Sequence, residues 1–346
     1  MSKWEALSFD DVFLDDTKNG VKIKKEKYLD EGLHPVIDQG QNFISGYINS
    51  SEGLYTNIPA IIFGDHTRII KYIDIPFFLG ADGVKLLRSK MENISYKYLY
   101  YFLVKNEVPN TGYNRHFKWL KELKVPLPPL ETQKQIAKIL DTAAELLAMR
   151  KQQLAELDNL IKSVFYEMFG DPVTNEKGWK AEAGSQIYVF SSGKFNRSHQ
   201  LDDSYEYPCY GGNGIIGRSK EYLIDYQTLV IGRVGAYCGS IHLTSQKSWI
   251  TDNAIYLKQY DKSKFELEFL KMLFTELNFN QFADFSGQPK ITQKPLLELS
   301  YICPPRSLQT KFATIVTRIE EQKSLVKKGL DETQYLFDSL MAQYFD

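Results

Sequence analysis

Apolar side chains recur in alternating steps of four and three along two stretches of this chain. In the first, Ile136, Leu140, Ala143, Leu147, Leu154, Leu157, Ile161, Val164 and Met168 form a seam broken only by Arg150. In the second, Phe312, Val316, Ile319, Val326, Leu330, Phe337, Leu340 and Tyr344 form it, with breaks at Lys323 and Thr333. A heptad seam sustained this long predicts two coiled-coil helices. A proline pair precedes each, Pro128-Pro129 and Pro304-Pro305. Such a pair suits a helix start and not a helix interior. Each helix is predicted to hold about 38 residues, hence about 57 Å at about 1.5 Å per residue.

The two stretches are copies of each other. When "PLPPLETQKQIAKIL" is laid over "CPPRSLQTKFATIV" at a shift of 176 positions, Gln133 falls on Gln309, Ala137 on Ala313 and Ile139 on Ile315. Further on, Leu154 falls on Leu330, Glu156 on Glu332, Ser163 on Ser339 and Phe169 on Phe345. A repeat of this kind governs the whole fold. In the overlay Arg150 stands against a Val326-type position and Lys323 against Leu147. The polar breaks therefore differ between copies, an asymmetry able to fix pairing register or orientation. Two amphipathic helices packed separately on their own domains are the plainer alternative. Equal length, equal phase and matching starts favour the helices packing on each other.

The segments between the helices carry short apolar runs punctuated by Gly and Pro, which read as strands: "IPAIIFG", "YIDIPFFLG", "TLVIGRVGAYCGSIHL" and "TDNAIYLKQY". They also resemble each other. "QGQNFISGY" matches "YGGNGIIGR", "AIIFGDHTR" matches "TLVIGRVGA", and Asp82 in "GADGVKLL" matches Asp252 in "TDNAIYLK". A helical segment follows in each, "SYKYLYYFLVKN" and "ELEFLKMLFTELN", and then "TGYNRHFKWLKELKVPLPP" or "SGQPKITQKPLLELSYICPP". The expected architecture is α+β: two β-rich α/β domains in tandem, each followed by a long helix. The expected boundaries are 1–127 and 171–303 for the domains, with the helices at 128–170 and 304–346.

Composition changes this picture little. A chain of 346 residues with 43% apolar and 25% charged residues fits a globular protein of two domains. The net charge of −1 does not announce a nucleic-acid binder and counts against one. Three cysteines, Cys209, Cys238 and Cys303, form no CxxC pair, and their odd number argues against a disulfide framework. A reducing compartment fits them best. The N-terminal stretch lacks the apolar core of a signal peptide, and no apolar run approaches the roughly 18 residues of a membrane span. The expected location is cytoplasmic, away from membranes.

Catalytic and cofactor motifs are incomplete or absent. Gly212-Asn213-Gly214-Ile215-Ile216-Gly217 satisfies GxGxxG formally. The following "RSKEYLIDYQ" is too short and polar for the required helix, and the position about 20 further on is Tyr237, not an acid. A glycine-rich β-turn is the better reading. There is no GxxxxGK[ST] loop, no HExxH and no GxSxG elbow, and the five histidines are scattered. The proline pairs follow Leu127 and Cys303, so neither makes the Asn-Pro-Pro-aromatic tetrapeptide of an amino-methyltransferase. No catalytic residue, metal ligand or cofactor is therefore expected in this chain.

The remaining candidates are polar, basic and aromatic residues on glycine-rich loops. In the first domain they are Gln39, Gln41, Asn42, His66, Arg68, Tyr113, Asn114 and Arg115, with Lys22, Lys24, Lys25, Lys27 and His116 beside them. In the second they are Lys194, Arg197, Tyr210, Asn213, Arg218, Arg233, Gln288, Lys290 and Thr292. Arg, Asn and Gln read base edges, Lys and backbone amides hold phosphates, and glycine lets a loop approach a ligand closely. Taken singly, each is as well explained as a solvated loop residue. Their recurrence on matching loops of both halves favours DNA binding.

The central "PLPPLETQKQIAKILDTAAELLAMRKQQLAELDNLIKSVFYEMFGDP", its shorter copy, "YPCYGGNGIIG", "VIGRVGAYCGSI", "TDNAIYL" and "SGQPKIT" together resemble the specificity subunit of type I restriction–modification systems. The resemblance implies two target-recognition domains, each reading half of a split DNA sequence. It implies an antiparallel pairing of the two helices with pseudo-twofold symmetry, as a spacer of about 17 base pairs at about 3.4 Å each. The implied partners are double-stranded DNA and two adenine-N6 methyltransferase subunits that bind S-adenosylmethionine. Two restriction subunits driven by ATP and Mg are a further implied partner. The chain departs from the pattern at its second helix start, where Arg306 and Ser307 replace the Leu-Glu of "PPLETQ". Two competing readings are a coiled-coil scaffold that binds no DNA, which the near-zero charge supports, and an enzyme built around Cys209, Cys238 or Arg233.

Overall fold

The computed structural model describes residues 4–80, 83–112, 114–195 and 201–346. The chain divides into two compact units, Met1–Lys151 with Lys328–Asp346, and Gln152–Lys327.

In the first unit, β1 (Ala6–Ser8), α1 (Phe9–Val12) and β2 (Phe13–Asp15) are followed by β3 (His34–Ile37) and β4 (Gly46–Ile48). Next come β5 (Ala60–Gly64), β6 (Ile70–Ile73), β7 (Phe78–Leu79) and β8 (Val84–Ser89), then α2 (Tyr96–Lys105), α3 (Phe117–Leu120) and β9 (Lys124–Pro126). A four-stranded sheet has the order β2-β8-β5-β6, and a three-stranded sheet the order β4-β3-β7 with β3 and β7 parallel. β1 pairs with β9 and closes the unit.

The run "AIIFG" of β5 is apolar at every position because both faces of its strand are covered. Side chains alternate along a strand. Ile61 and Phe63 accordingly pack with Phe9, Tyr98, Leu99 and Phe102 on the helix side. Ala60 and Ile62 pack with Ile37, Phe77 and Leu79 on the side of the smaller sheet.

The second unit repeats this order with β10 (Ala181–Ala183), α5 (Gly184–Ile187), β11 (Tyr188–Ser192), β12 (Tyr207–Gly211) and β13 (Gly214–Ser219). There follow β14 (Leu229–Gly232), β15 (Ile241–Leu243), β16 (Trp249–Ile250), β17 (Ala254–Tyr260), α6 (Leu267–Glu276), α7 (Gln293–Glu298) and β18 (Ser300–Ile302). Its sheets run β11-β17-β14-β15 and β13-β12-β16, and β10 pairs with β18, strand for strand the topology of the first unit. Leu229 and Ile231 face α6, whereas Val230 faces the smaller sheet with Tyr210 and Ile250.

The long helices are α4 (Leu130–Phe169) and α8 (Arg306–Phe345). Within each unit a part of one meets a part of the other, and the two run antiparallel. In the first unit Ile136 and Leu140 share a core with Phe337, Leu340 and Met341. In the second, Phe165 and Phe169 stack edge-on against Phe312, and Ile161, Val316 and Ile319 join them. Leu147 and Val326 are buried, whereas Leu154, Leu157 and Leu330 are half-buried.

Antiparallel packing changes what the polar breaks face. Arg150 lies against Gly329, where any Cβ would meet its guanidinium. Lys323 is ion-paired with Asp158 at 2.6 Å and Glu320 at 3.0 Å. Thr333 is buried but satisfied, its hydroxyl donating to the Gly329 carbonyl at 2.7 Å. The Val326-type and Leu147 positions of the overlay are the repeat equivalents of Arg150 and Lys323, not their partners across the helix pair.

Gln133 and Gln309 fasten the long helices to their units. Gln133 is buried; its Oε1 accepts the Ser95 N–H at 3.0 Å and its Nε2 donates to the Pro128 carbonyl at 2.8 Å. Ser95 caps the start of α2, so α4 supplies the bond that completes that cap. Gln309 does the same for α6. It accepts the Glu266 N–H at 2.9 Å and donates to the Lys264 and Pro304 carbonyls, both at 2.8 Å. Arg306 adds an ion pair to Glu266, so the sequence departure at this helix start strengthens the same junction.

Replacing Gln133 by Leu strands an N–H and a carbonyl, and replacing Gln309 by Leu strands an N–H and two carbonyls; each change should cost about 2–3 kcal/mol. The expected result is a lower urea midpoint with an unchanged slope. A midpoint equal to wild type would show that these amides do not hold the junction.

Candidate nucleic-acid interface

In the first unit, four stretches converge beyond the ends of β3, β5 and β7. The loop after β3 carries Gln39, Gln41 and Asn42, and Asp38 shapes it by accepting from the Gly40 N–H at 2.7 Å and the Ser45 hydroxyl. The loop after β5 joins it. The His66 N–H donates to Gln39 Oε1 at 3.1 Å, and the Thr67 hydroxyl donates to the Gln39 carbonyl at 2.7 Å. Gly83 sits beneath, where a Cβ would collide with Gln39 and His66, and its φ of 86° favours glycine as well. The stretch before α3 completes the group, with His66 Nδ1 3.2 Å from the Asn114 carbonyl and the His116 N–H on the Asp65 carbonyl at 2.8 Å.

The second unit assembles the same four stretches. The Ser240 hydroxyl donates to the Gly212 carbonyl at 2.6 Å, joining the β12–β13 turn to the loop after β14. The Arg233 N–H bonds the Asn253 carbonyl at 2.9 Å, as the Asp65 N–H bonds that of Gly83 at 2.6 Å in the first unit. The Ile291 N–H bonds the Arg233 carbonyl at 2.9 Å, in the place of the His116 bond. The framework is common to both, and the side chains it presents differ.

The expected site residues fall into three groups. Gln41, Asn42, Asn114 and Arg115 in one unit, and Asn213, Gln288, Lys290 and Thr292 in the other, are exposed on these stretches, whereas Lys194 is exposed just after β11, outside them. Gln39, His66 and Arg233 are half-buried within them. Three others are directed elsewhere. Arg68 donates to the Val108 carbonyl at 3.3 Å, and Arg218, on β13, donates to the Tyr205 and Glu206 carbonyls just before β12. Tyr210 is only 4% exposed, in the core between the sheets, and its hydroxyl accepts the Ser245 N–H at 3.1 Å. Tyr113 and Arg197 lie outside the described residues.

The family model for the type I restriction modification DNA specificity domain matches this chain at residues 1–159 and again at 177–333. The chain belongs to that family.

Members similar to it include the Escherichia coli type I restriction enzyme EcoprrI specificity subunit, 30% identical over 207 residues, or 56% of this chain and 50% of that one. The EcoR124I/EcoR124II specificity subunit of the same organism is 33% identical over 153 residues, 38% of this chain and 37% of that one. The chain thus matches half or less of the length of these relatives. The type I S subunit from M. genitalium shares the fold, with a TM-score of 0.70 at 20% identity over 100% of this chain and 96% of that one.

Sequence reading overlooked part of the specificity-domain surface. Ile215, Tyr237 and Phe285 are 56–60% exposed on the convergent stretches of the second unit. Their signal is an apolar residue within two positions of a glycine, in "GNGII", "GAY" and "DFSG". The GxGxxG match spans the turn between β12 and β13 and the first four residues of β13, with no helix after it. Among the described residues no helix is long and apolar enough to cross a membrane, and no group of three or more His, Cys, Asp or Glu is placed to hold a metal.

The cysteines point away from nucleophilic chemistry. Burial pushes the Cys209 thiol up to about 11 and raises Cys238 and Cys303 as well. A nucleophilic thiol needs the opposite shift. Maleimide at pH 8 should therefore label Cys209 only after denaturation, as read by peptide mass. Rapid labelling of Cys209 in the native protein would refute this account of its surroundings.

Proposed function

We propose that this chain is the DNA sequence-specificity subunit of a type I restriction–modification complex, each unit reading one half of a split DNA target. One observation carries the reading. Two repeats that share a topology bring the same four loop stretches together, and present different exposed polar residues on them. That is what a pair of readers with unlike half-sites requires. Gln41, Asn42 and Asn114 offer amides to base edges in one unit, as Asn213 and Gln288 do in the other. Lys194, Lys290 and Arg115 are exposed for phosphates.

In this proposal α4 and α8 dock two methyltransferase subunits and set the gap between the half-sites. Those partners bring S-adenosylmethionine and carry out adenine-N6 methylation. Restriction subunits, if they join, bring ATP and Mg. The chain itself performs no chemistry. A net charge of −1 is tolerable because partners contribute phosphate contacts.

The test is co-expression with the cognate methyltransferase, followed by mapping of methylated adenines. A bipartite motif is expected, and exchanging residues 171–303 for those of another member should change one half alone. A single undivided motif, or one indifferent to the exchange, would sink the proposal. Adding one heptad to α4 and one to α8 should lengthen the unread gap by about 10 Å, roughly three base pairs, while the bases read stay the same.

A further inference from the structure

The same register position in the two repeats holds a polar side chain that reaches under the loop after the first strand of the smaller sheet. In the first unit it is Lys71 of β6, paired across from Ile62. In the second it is His242 of β15, paired across from Val230. Cross-strand partners share a face. Ile62 and Val230 both face the smaller sheet, so Lys71 and His242 lie on the side from which that loop is built.

Lys71 is 5% exposed. Its Nζ donates to the Asp38 carbonyl at 2.8 Å and the Asn42 carbonyl at 2.5 Å, with the Phe43 carbonyl at 3.5 Å. An ammonium has three donors and no acceptor. Here they gather the carbonyls at both ends of the segment bearing Gln39, Gln41 and Asn42. Burial draws the Lys71 pKa down, while Asp38 opposes the shift.

His242 acts through one intermediary. The Ser240 hydroxyl gives its proton to the Gly212 carbonyl, so its oxygen accepts from His242 Nε2, 3.2 Å away. That bond places the imidazole proton on Nε2. The ring also underlies Gly214, whose absent Cβ would stand 3.2 Å from Nδ1. The turn presenting Asn213 therefore rests on His242 on both sides.

We propose that this register position holds the positioning residue of each unit, Lys71 or His242, which fixes the conformation of that unit's base-reading loop and thereby the selectivity at its half-site. The proposal rests on the DNA-reading function above. Neither side chain need touch DNA.

The experiment selects bound duplexes from a randomised pool with the full chain assembled with its methyltransferase subunits. Lys71→Met should lower base preference in the first unit's half-site by about tenfold and leave the other half-site unchanged. His242→Leu and Ser240→Ala should do the reverse. Lys71→Arg, which keeps a charged donor under the loop, should retain most of the preference. The dependence of affinity on salt should match wild type for all four variants.

A folded Lys71→Met with both preferences intact overturns the proposal. So does uniform weakening over all sequences with the salt slope reduced by about one, which would make Lys71 a phosphate contact. If Lys71→Met fails to fold, Ser240→Ala decides alone, and an unchanged second half-site overturns the proposal. A wild-type complex that selects no split sequence sinks the functional reading itself, and is seen before any substitution is made.

Discussion

A buried primary amide must satisfy both its oxygen and its nitrogen, and in this protein one such amide holds each long helix in place. Gln133 and Gln309 are each the fourth residue after a proline pair. At that position the side chain reaches back to the carbonyl before the helix and across to the N–H that starts a short helix. Moving α4 or α8 relative to its unit would break those bonds in a place water does not reach. The sheets, the helix packed on them and the start of the long helix are therefore one mechanical body within each unit. Loops built on such a body keep their geometry while their sequences vary.

That separation of frame from surface explains how one topology presents two different loop surfaces. The backbone bonds that gather the loops recur: Asp65 to Gly83 and His116 to Asp65 in one unit, Arg233 to Asn253 and Ile291 to Arg233 in the other. They run between main-chain atoms and place no demand on side-chain type. The same main-chain bonds are therefore kept with unlike residues at Asp65 against Arg233 and at His116 against Ile291, while beneath the loops Lys71 and His242 support them through different side-chain bonds. A domain of this family can on this basis vary its loop surface without rebuilding the core.

The helix pair follows a different logic. A strict apolar seam allows slippage by a heptad, because every register buries similar surface. Arg150 fits only where the opposing helix has no side chain, and Gly329 supplies that place. Lys323 needs a carboxylate across the interface and finds Asp158. These local matches select one register from several of nearly equal burial.

Periodicity and repetition determined the elements. Steps of four and three gave α4 and α8, apolar runs gave β5 and β14, and the internal copy gave a shared topology, because each signal is local or compares one stretch with another. The surface was only partly legible. Gln41, Asn42, Asn114 and Lys290 are exposed on the converging loops, yet Tyr210 lies in the core, and Arg68 and Arg218 are bound to nearby carbonyls. Residue type tells what a side chain can bond to, not which groups lie within reach. Only the tertiary structure brought Lys71 under Asn42, Gly329 against Arg150 and Gln133 onto Ser95. Those contacts join residues 29, 179 and 38 positions apart, where proximity follows from packing and no periodicity records it.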